Sequence, residues 1–182
     1  MKVLVPIANG SEEMEAVIIV DVLRRAGVNV LFAGDADIVT CSRGVRILPD
    51  VIFQDIGEEE LFDAVVLPGG QQGVQHLVEN NQIRDLVDSH RKAGKLVAAI
   101  CAAPAMLHEW GMLERSNVVT GHPSIEQQLR PYTFSFDRVV EDGALITSRG
   151  AGTALEFALA LVRRLVGQET ARNVARDIVL YE

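Results

Sequence analysis

No run of about 18 apolar residues free of charge occurs in this 182-residue chain, so nothing in it reads as a membrane-spanning helix. Cysteine is scarce. The two residues present, Cys41 and Cys101, are too few for a disulfide framework and fit a reducing cytoplasm, which is the expected location. A basic stripe is missing as well: 17 Lys and Arg stand against 25 Asp and Glu, a net charge of -8, and no nucleic-acid partner is expected. The pairs Arg24-Arg25 and Arg163-Arg164 lie in amphipathic helical patterns and read as solvated faces. Also absent are the G-x-G-x-x-G dinucleotide fingerprint, the G-x-x-x-x-G-K-S/T phosphate loop and any His, Cys and carboxylate spacing of a metal site. No metal and no cofactor are assigned. Repeats, linkers and low-complexity segments are lacking too, and a 48% apolar composition is ample for the core of one domain spanning residues 1–182.

What the chain does have is alternation of short apolar runs with helical patterns, punctuated by glycine. Strands are expected at 3–7, 29–33, 64–67, 96–100, 118–120 and 144–147. The opening run, Val3 to Ile7, is too brief for a secretory signal and reads as the first strand. Helices are expected at 12–25, 74–79, 83–93, 103–109, 124–129 and 153–166, with a short one after Gln168. This order predicts an α/β three-layer sandwich: a mostly parallel sheet with helices on both faces. Residues 37–48 break the pattern and read as a small β-hairpin around Ser42-Arg43-Gly44. Helix 12–25 carries Val17, Ile18, Ile19, Val20, Val22 and Leu23, more apolar residues than one sheet face needs. Its second side is covered either by a second copy of the chain or by deep burial within one subunit.

Cys101 stands where the run Leu96-Val97-Ala98-Ala99-Ile100 gives way to the helix start Ala102-Ala103-Pro104. A strand that turns abruptly into a helix holds the residue at the turn in a strained, projecting position. An ordinary thiol, with a pKa of about 8.5, is only about 3% ionised at pH 7; the positive end of a helix is expected to lower it and make a nucleophile. The competing reading is a small buried hydrophobe, but such a residue has no need of a strand's carboxyl end, where ligand crevices form in open α/β sheets.

Other residues can reach the same crevice. In the first helix Ser11 suits the N-cap, and Glu12 and Glu13 complement the positive first turn. Glu15, flanked by Met14, Ala16 and Val17, can instead point over the strand ends, where apolar surroundings raise its pKa and let it donate a hydrogen bond to sulfur. Leu67-Pro68-Gly69-Gly70 ends another strand; the Gly70 amide, joined by that of Ala102, can hold an oxyanion, or the glycines simply make a tight turn. His122 follows the run Val118-Val119-Thr120-Gly121 and either reaches the crevice as a base or is a satisfied loop histidine, while His76, His90 and His108 read as surface or helix-face groups. Arg149 with Gly150 and Gly152 at a helix start can cradle an anion.

These motifs together resemble the ThiJ/PfpI superfamily, and most closely its parkinsonism-associated deglycase branch with bacterial YajL-like members. The resemblance covers Gly10-Ser11-Glu12-Glu13-Met14-Glu15-Ala16, Cys41-Ser42-Arg43, Val66-Leu67-Pro68-Gly69-Gly70, Ala98-Ala99-Ile100-Cys101-Ala102-Ala103-Pro104, Gly121-His122-Pro123 and Thr147-Ser148-Arg149-Gly150. It implies a flavodoxin-like sandwich and a homodimer built around the first helix. By the same resemblance Cys101 is the oxidisable nucleophile, Glu15 its protonated partner, Gly70 the oxyanion-side backbone, and His122 a histidine that only some members place near the cysteine. It also puts Cys41 at a dimer interface, although a hairpin thiol without a role fits equally. Protease-like members have histidine directly after the cysteine; this chain has Ala102, so peptidase activity is not expected.

The activity so implied is glyoxalase or deglycase chemistry without a cofactor. Cys101 adds to an α-oxoaldehyde such as methylglyoxal, free or as a glycated adduct, the Gly70 and Ala102 amides hold the oxyanion, and Glu15 moves the proton. The rival is a redox-sensing stress protein or chaperone that uses oxidation of Cys101.

Overall fold

The computed structural model describes residues 1–57 and 61–180. In chain order its elements are β1 (Lys2–Ile7), α1 (Glu13–Arg25), β2 (Asn29–Gly34), β3 (Val39–Thr40), β4 (Arg46–Ile47), β5 (Val51–Ile52), β6 (Ala64–Leu67), α2 (Gln71–Val78), α3 (Asn81–Lys92) and β7 (Leu96–Ile100). There follow α4 (Ala103–Glu109), β8 (Val118–Val119), β9 (Thr133–Phe134), β10 (Val139–Asp142), β11 (Leu145–Ser148), α5 (Ala154–Leu165) and α6 (Gln168–Asp177).

The principal sheet runs β10-β11-β7-β6-β1-β2-β5, parallel throughout except for β10, which pairs antiparallel with β11. Strand side chains alternate between its faces. Val3, Val5 and Ile7 of β1, Ala64 and Val66 of β6, and Ala98 and Ile100 of β7 join a core beneath α1, α5 and α6. Leu4, Val65, Leu67, Val97 and Ala99 belong to the opposite core, beneath α2, α3 and α4. Buried on both sides, these strands must be apolar at nearly every position, and each large aliphatic chain contributes about 1.5–3 kcal/mol by leaving water. The expected sandwich is therefore the observed one, and the expected hairpin is the β3–β4 pair.

α1 shows how sequence sets packing. Ala16, Ile19, Val20 and Leu23, spaced by three and four residues, are buried against the sheet and α5. Gly27, at φ 75°, ends the helix, with its amide on Arg24 O and that of Val28 on Leu23 O. Of the six apolar residues read as a surplus, Ile19, Val20, Val22 and Leu23 are buried within the chain and Ile18 is half-buried, whereas Val17 remains 48% exposed, beside Met14 at 54%.

Three local expectations fail. Ser11 does not cap α1; it is fully buried, and its Oγ accepts the Ala8 amide at 3.0 Å, bracing the turn after β1. β8 stands outside the principal sheet and pairs with β9. The helix expected at 124–129 shrinks to a 3-10 turn, Pro123–Ile125, followed by further turns. Pro131 stops that segment before it reaches a length at which helix propagates.

Candidate active site

With β2-β1-β6-β7-β11 at its centre, the sheet changes winding direction between β1 and β6, the place where α/β sheets open a crevice at the strands' carboxyl ends. Glu15 enters from α1 just after β1, Gly69 and Gly70 follow β6, and Cys101 ends β7. The crevice holds about 460 Å³ and is lined by Glu12, Glu15, Arg43, Gly70, Cys101 and His122 among others.

Cys101 has φ 64°, a left-handed conformation that costs a side-chain-bearing residue about 1–2 kcal/mol. Its neighbours pin it there: its amide donates to Ser148 O at 3.0 Å, and its carbonyl accepts the His122 amide at 2.9 Å. This is the projecting elbow that the strand-to-helix transition predicts. Ala102 caps α4, and the backbone N–H groups of Gly70 and Ala102 both hydrogen-bond the Cys101 sulfur.

Glu15 is fully buried. Its Oε2 accepts the Gly69 amide at 2.7 Å, and its Oε1 makes no conventional hydrogen bond and lies on the thiol side. Gly69 is required at this spot, because a Cβ there would lie 2.5 Å from Cys101 Cβ and 2.8 Å from Glu15 Oε2. Gly70 is equally constrained, with φ 92° and a Cβ position 2.5 Å from both Glu12 N and Gly10 O.

Burial pushes the Glu15 carboxyl up to about 7, although the Gly69 amide and the Cys101 thiol work the other way. Cys101 departs from expectation. Burial, then the charge and hydrogen bond of Glu15, push its thiol up to about 12, and the Gly70 and Ala102 amides offset this only in part. A short helix start therefore does not by itself ionise the sulfur. The thiol and the carboxyl compete for one proton, and the sulfur is ionised when Glu15 holds it.

His122 completes the cluster. A Cβ built on Gly150 would sit 3.6 Å from His122 Cδ2, 3.9 Å from Cys101 Sγ and 4.0 Å from Glu15 Oε1, so these side chains converge on one point beside Gly150. Arg149 turns away: its guanidinium lies over the Phe136 ring at 5.5 Å and donates to Phe136 O, so the expected anion cradle is not formed. His76 binds Asn9 O and His108 binds Tyr132 Oη, both outside the cluster. His90, expected on a surface or helix face, is instead a buried residue between Leu86 O and Phe62 O. Among the described residues, no group of three or more His, Cys, Asp or Glu is arranged to hold a metal ion.

Sequence reasoning gives Gly69 only as half of a glycine pair, Gly150 only as part of an anion cradle and Arg43 only as a hairpin residue, none of them beside Cys101. The doubled glycine after β6 is the signal for Gly69. Arg43 reaches the crevice mouth only because the hairpin folds against α1, where Glu13 accepts from Ser42 Oγ at 2.7 Å and from the Arg43 amide at 2.8 Å. Burial works against the Glu13 charge, but these hydrogen bonds outweigh it and hold the carboxyl below its usual range.

Comparison with known proteins agrees with this arrangement. "Protein dj-1beta" of Drosophila melanogaster is 45% identical over 181 residues, covering 97% of this chain and 96% of that protein. "Glutathione-independent glyoxalase DJR-1.2" of Caenorhabditis elegans is 37% identical, covering 93% of this chain and 91% of its own. Among solved structures, "Toxoplasma gondii DJ-1, oxidized" superposes with a TM-score of 0.94 at 38% identity over 99% of this chain and 98% of that one. The DJ-1/PfpI profile matches residues 1–164. On these matches the chain belongs to the DJ-1/PfpI family.

Proposed function

We propose that the protein is a cysteine-dependent glyoxalase or deglycase that converts methylglyoxal-type α-oxoaldehydes, free or as adducts, to hydroxy acids without a cofactor. The observation that carries this reading is the convergence of Cys101 Sγ, Glu15 Oε1 and His122 Cδ2 on one point beside Gly150. In the reactive state Glu15 holds the shared proton and Cys101 is thiolate. Sulfur adds to the aldehyde carbon, the carbonyl π bond breaks, and Glu15 protonates the new oxygen, giving a hemithioacetal. The Glu15 carboxylate then takes the proton from that carbon and returns it to the neighbouring carbon through an enediolate, while the hydroxyl proton of the first carbon passes to the oxygen of the second. The aldehyde carbon is thereby oxidised and the ketone carbon reduced; water hydrolyses the resulting thioester, releasing lactate and regenerating the thiol. The Gly70 and Ala102 amides, which favour negative charge at Cys101, would take up the oxyanion as it develops beside the sulfur.

Purified protein is expected to consume methylglyoxal and release lactate without glutathione, and a Cys101→Ser variant with the wild-type rate would overturn the assignment. A redox role for the same sulfur draws support from accessibility: Cys101 is only partly buried, whereas Cys41 is buried. Dilute peroxide is then expected to add oxygen at Cys101 first, and first modification of Cys41 would count against it.

The proposed setting is the reducing cytoplasm, and the proposed assembly is a homodimer through α1. Exposed Met14 and Val17, with a cleft of about 620 Å³ that Val17 shares with Leu155 and Val179, support a second copy of the chain on this face. Val17→Glu is expected to halve the mass measured by light scattering; an unchanged mass would remove α1 from the interface.

A further inference from the structure

We infer that Ser124 fixes His122 as a hydrogen-bond donor toward the crevice, so that the imidazole serves the Cys101 chemistry proposed above, on which this inference rests, by donation and not as a base. The Ser124 backbone N–H lies 3.2 Å from His122 Nδ1, and the Ser124 hydroxyl lies 2.8 Å from the same nitrogen. An amide N–H can only donate, so Nδ1 is the acceptor. A neutral imidazole carries one proton, which therefore sits on Nε2. Cδ2, the carbon bonded to Nε2, is the ring atom found 3.6 Å from the convergence point beside Gly150.

The backbone holds the ring in this pose from both sides. The His122 amide is tied to Cys101 O at 2.9 Å, and Pro123 begins the 3-10 turn that carries Ser124. Sequence alone suggests a histidine base; the observed partner of Nδ1 assigns the opposite role.

The consequence is substrate selection. The Gly70 and Ala102 amides serve an oxygen on the carbon bonded to sulfur, and the Nε2–H of His122 serves an oxygen on the adjacent carbon, where negative charge gathers in the enediolate. Two donor sets suit a vicinal dicarbonyl and leave a donor idle with a monocarbonyl. Ser124 is thus a positioning residue, acting through His122.

Histidine-labelled protein read by two-bond proton–nitrogen correlation is expected to show His122 protonated at Nε2. Ser124→Ala keeps the backbone N–H and is expected to leave the proton on Nε2, whereas Ser124→Pro, which lacks that N–H, is expected to raise the share of the Nδ1–H form. In methylglyoxal turnover His122→Gln, whose amide keeps a donor near the Nε2 position but offers no base, is expected to exceed His122→Phe by about tenfold or more. A wild-type spectrum with the proton on Nδ1, or equal losses in His122→Gln and His122→Phe, would overturn the inference. Should Cys101→Ser match the wild type, the proposed activity falls, and the nitrogen spectrum still decides the role of Ser124.

Discussion

Burial pushes the Cys41 thiol up to about 11 and the Cys101 thiol up to about 12, so both sulfurs rest protonated at neutral pH. Their second causes differ. Around Cys41 the added obstacle is the charge of Glu13, Glu12 and Asp35, of which Glu13 is locked in its ionised form by Ser42 and the Arg43 and Val45 amides. Around Cys101 the obstacle is Glu15, itself pushed up to about 7 and able to take the thiol's proton. Once Glu15 is protonated its opposing charge vanishes, and burial is left to work against the Gly70 and Ala102 amides. Reactivity thus belongs to a pair that shares a proton, and Cys41 stands beside Glu13, whose carboxyl is held below its usual range and is a poor acceptor for it.

Substitution of each sulfur tests the comparison most severely. Cys101→Ser is expected to lower lactate formation by about 10³-fold or more, as removal of a nucleophile does, while Cys41→Ser stays within about twofold. Comparable losses at the two positions would dissolve the distinction. Glu15→Gln comes next: the amide can still accept the Gly69 N–H but cannot exchange a proton, and a loss of about 10²–10⁴-fold is expected. Wild-type turnover should rise with pH through an inflection near 7, the value to which burial brings Glu15, and the Gln variant should lack it. An inflection that survives in Glu15→Gln would assign the titration to another group.

Those features were unequally legible in the sequence. Unbroken apolar runs, which burial on both faces requires, make β1, β6 and β7 readable, and the abrupt passage from β7 to α4 marks Cys101 before any coordinates exist. β5 and β10 are short edge elements with few core contacts, and nothing in their residues separates them from loop. Glu15 could be placed at the crevice from its position after β1, but its partner could not: Gly69 is 54 residues away, and only the sheet brings its amide to Oε2. The ionisation of Cys101 was misjudged because a helix start is visible in sequence, whereas burial and the nearness of a carboxylate are properties of packing.

The pair also has a stability signature. A carboxyl whose native pKa is raised binds its proton more tightly folded than unfolded, so its favourable contribution is complete below the unfolded value and is lost as pH climbs through the native one. For Glu15 that window runs from the ordinary 4.5 to about 7. Relative to Glu15→Gln, the wild type is expected to lose about 3 kcal/mol of unfolding free energy between pH 4.5 and 7.5, measured by urea titration. A pH-independent difference between the two proteins would mean that the Glu15 carboxyl titrates at the same pH folded and unfolded.

Cys41 supplies the smallest and most discriminating effect. It lies in the core beneath α1 and is 4% exposed, its carbonyl accepts the Gly44 amide at 3.0 Å, and neither bond of its backbone involves sulfur. Replacing it by alanine removes one buried polarisable atom and should cost about 1 kcal/mol in unfolding free energy. The same variant should leave the alkylation rate of Cys101 by iodoacetamide, and its inflection near 7, unaltered, because no proton passes between the two sulfurs. If Cys41→Ala instead shifts that inflection, the charges gathered at the hairpin act on the Glu15–Cys101 pair through the crevice wall, and the two thiols are one electrostatic system rather than two.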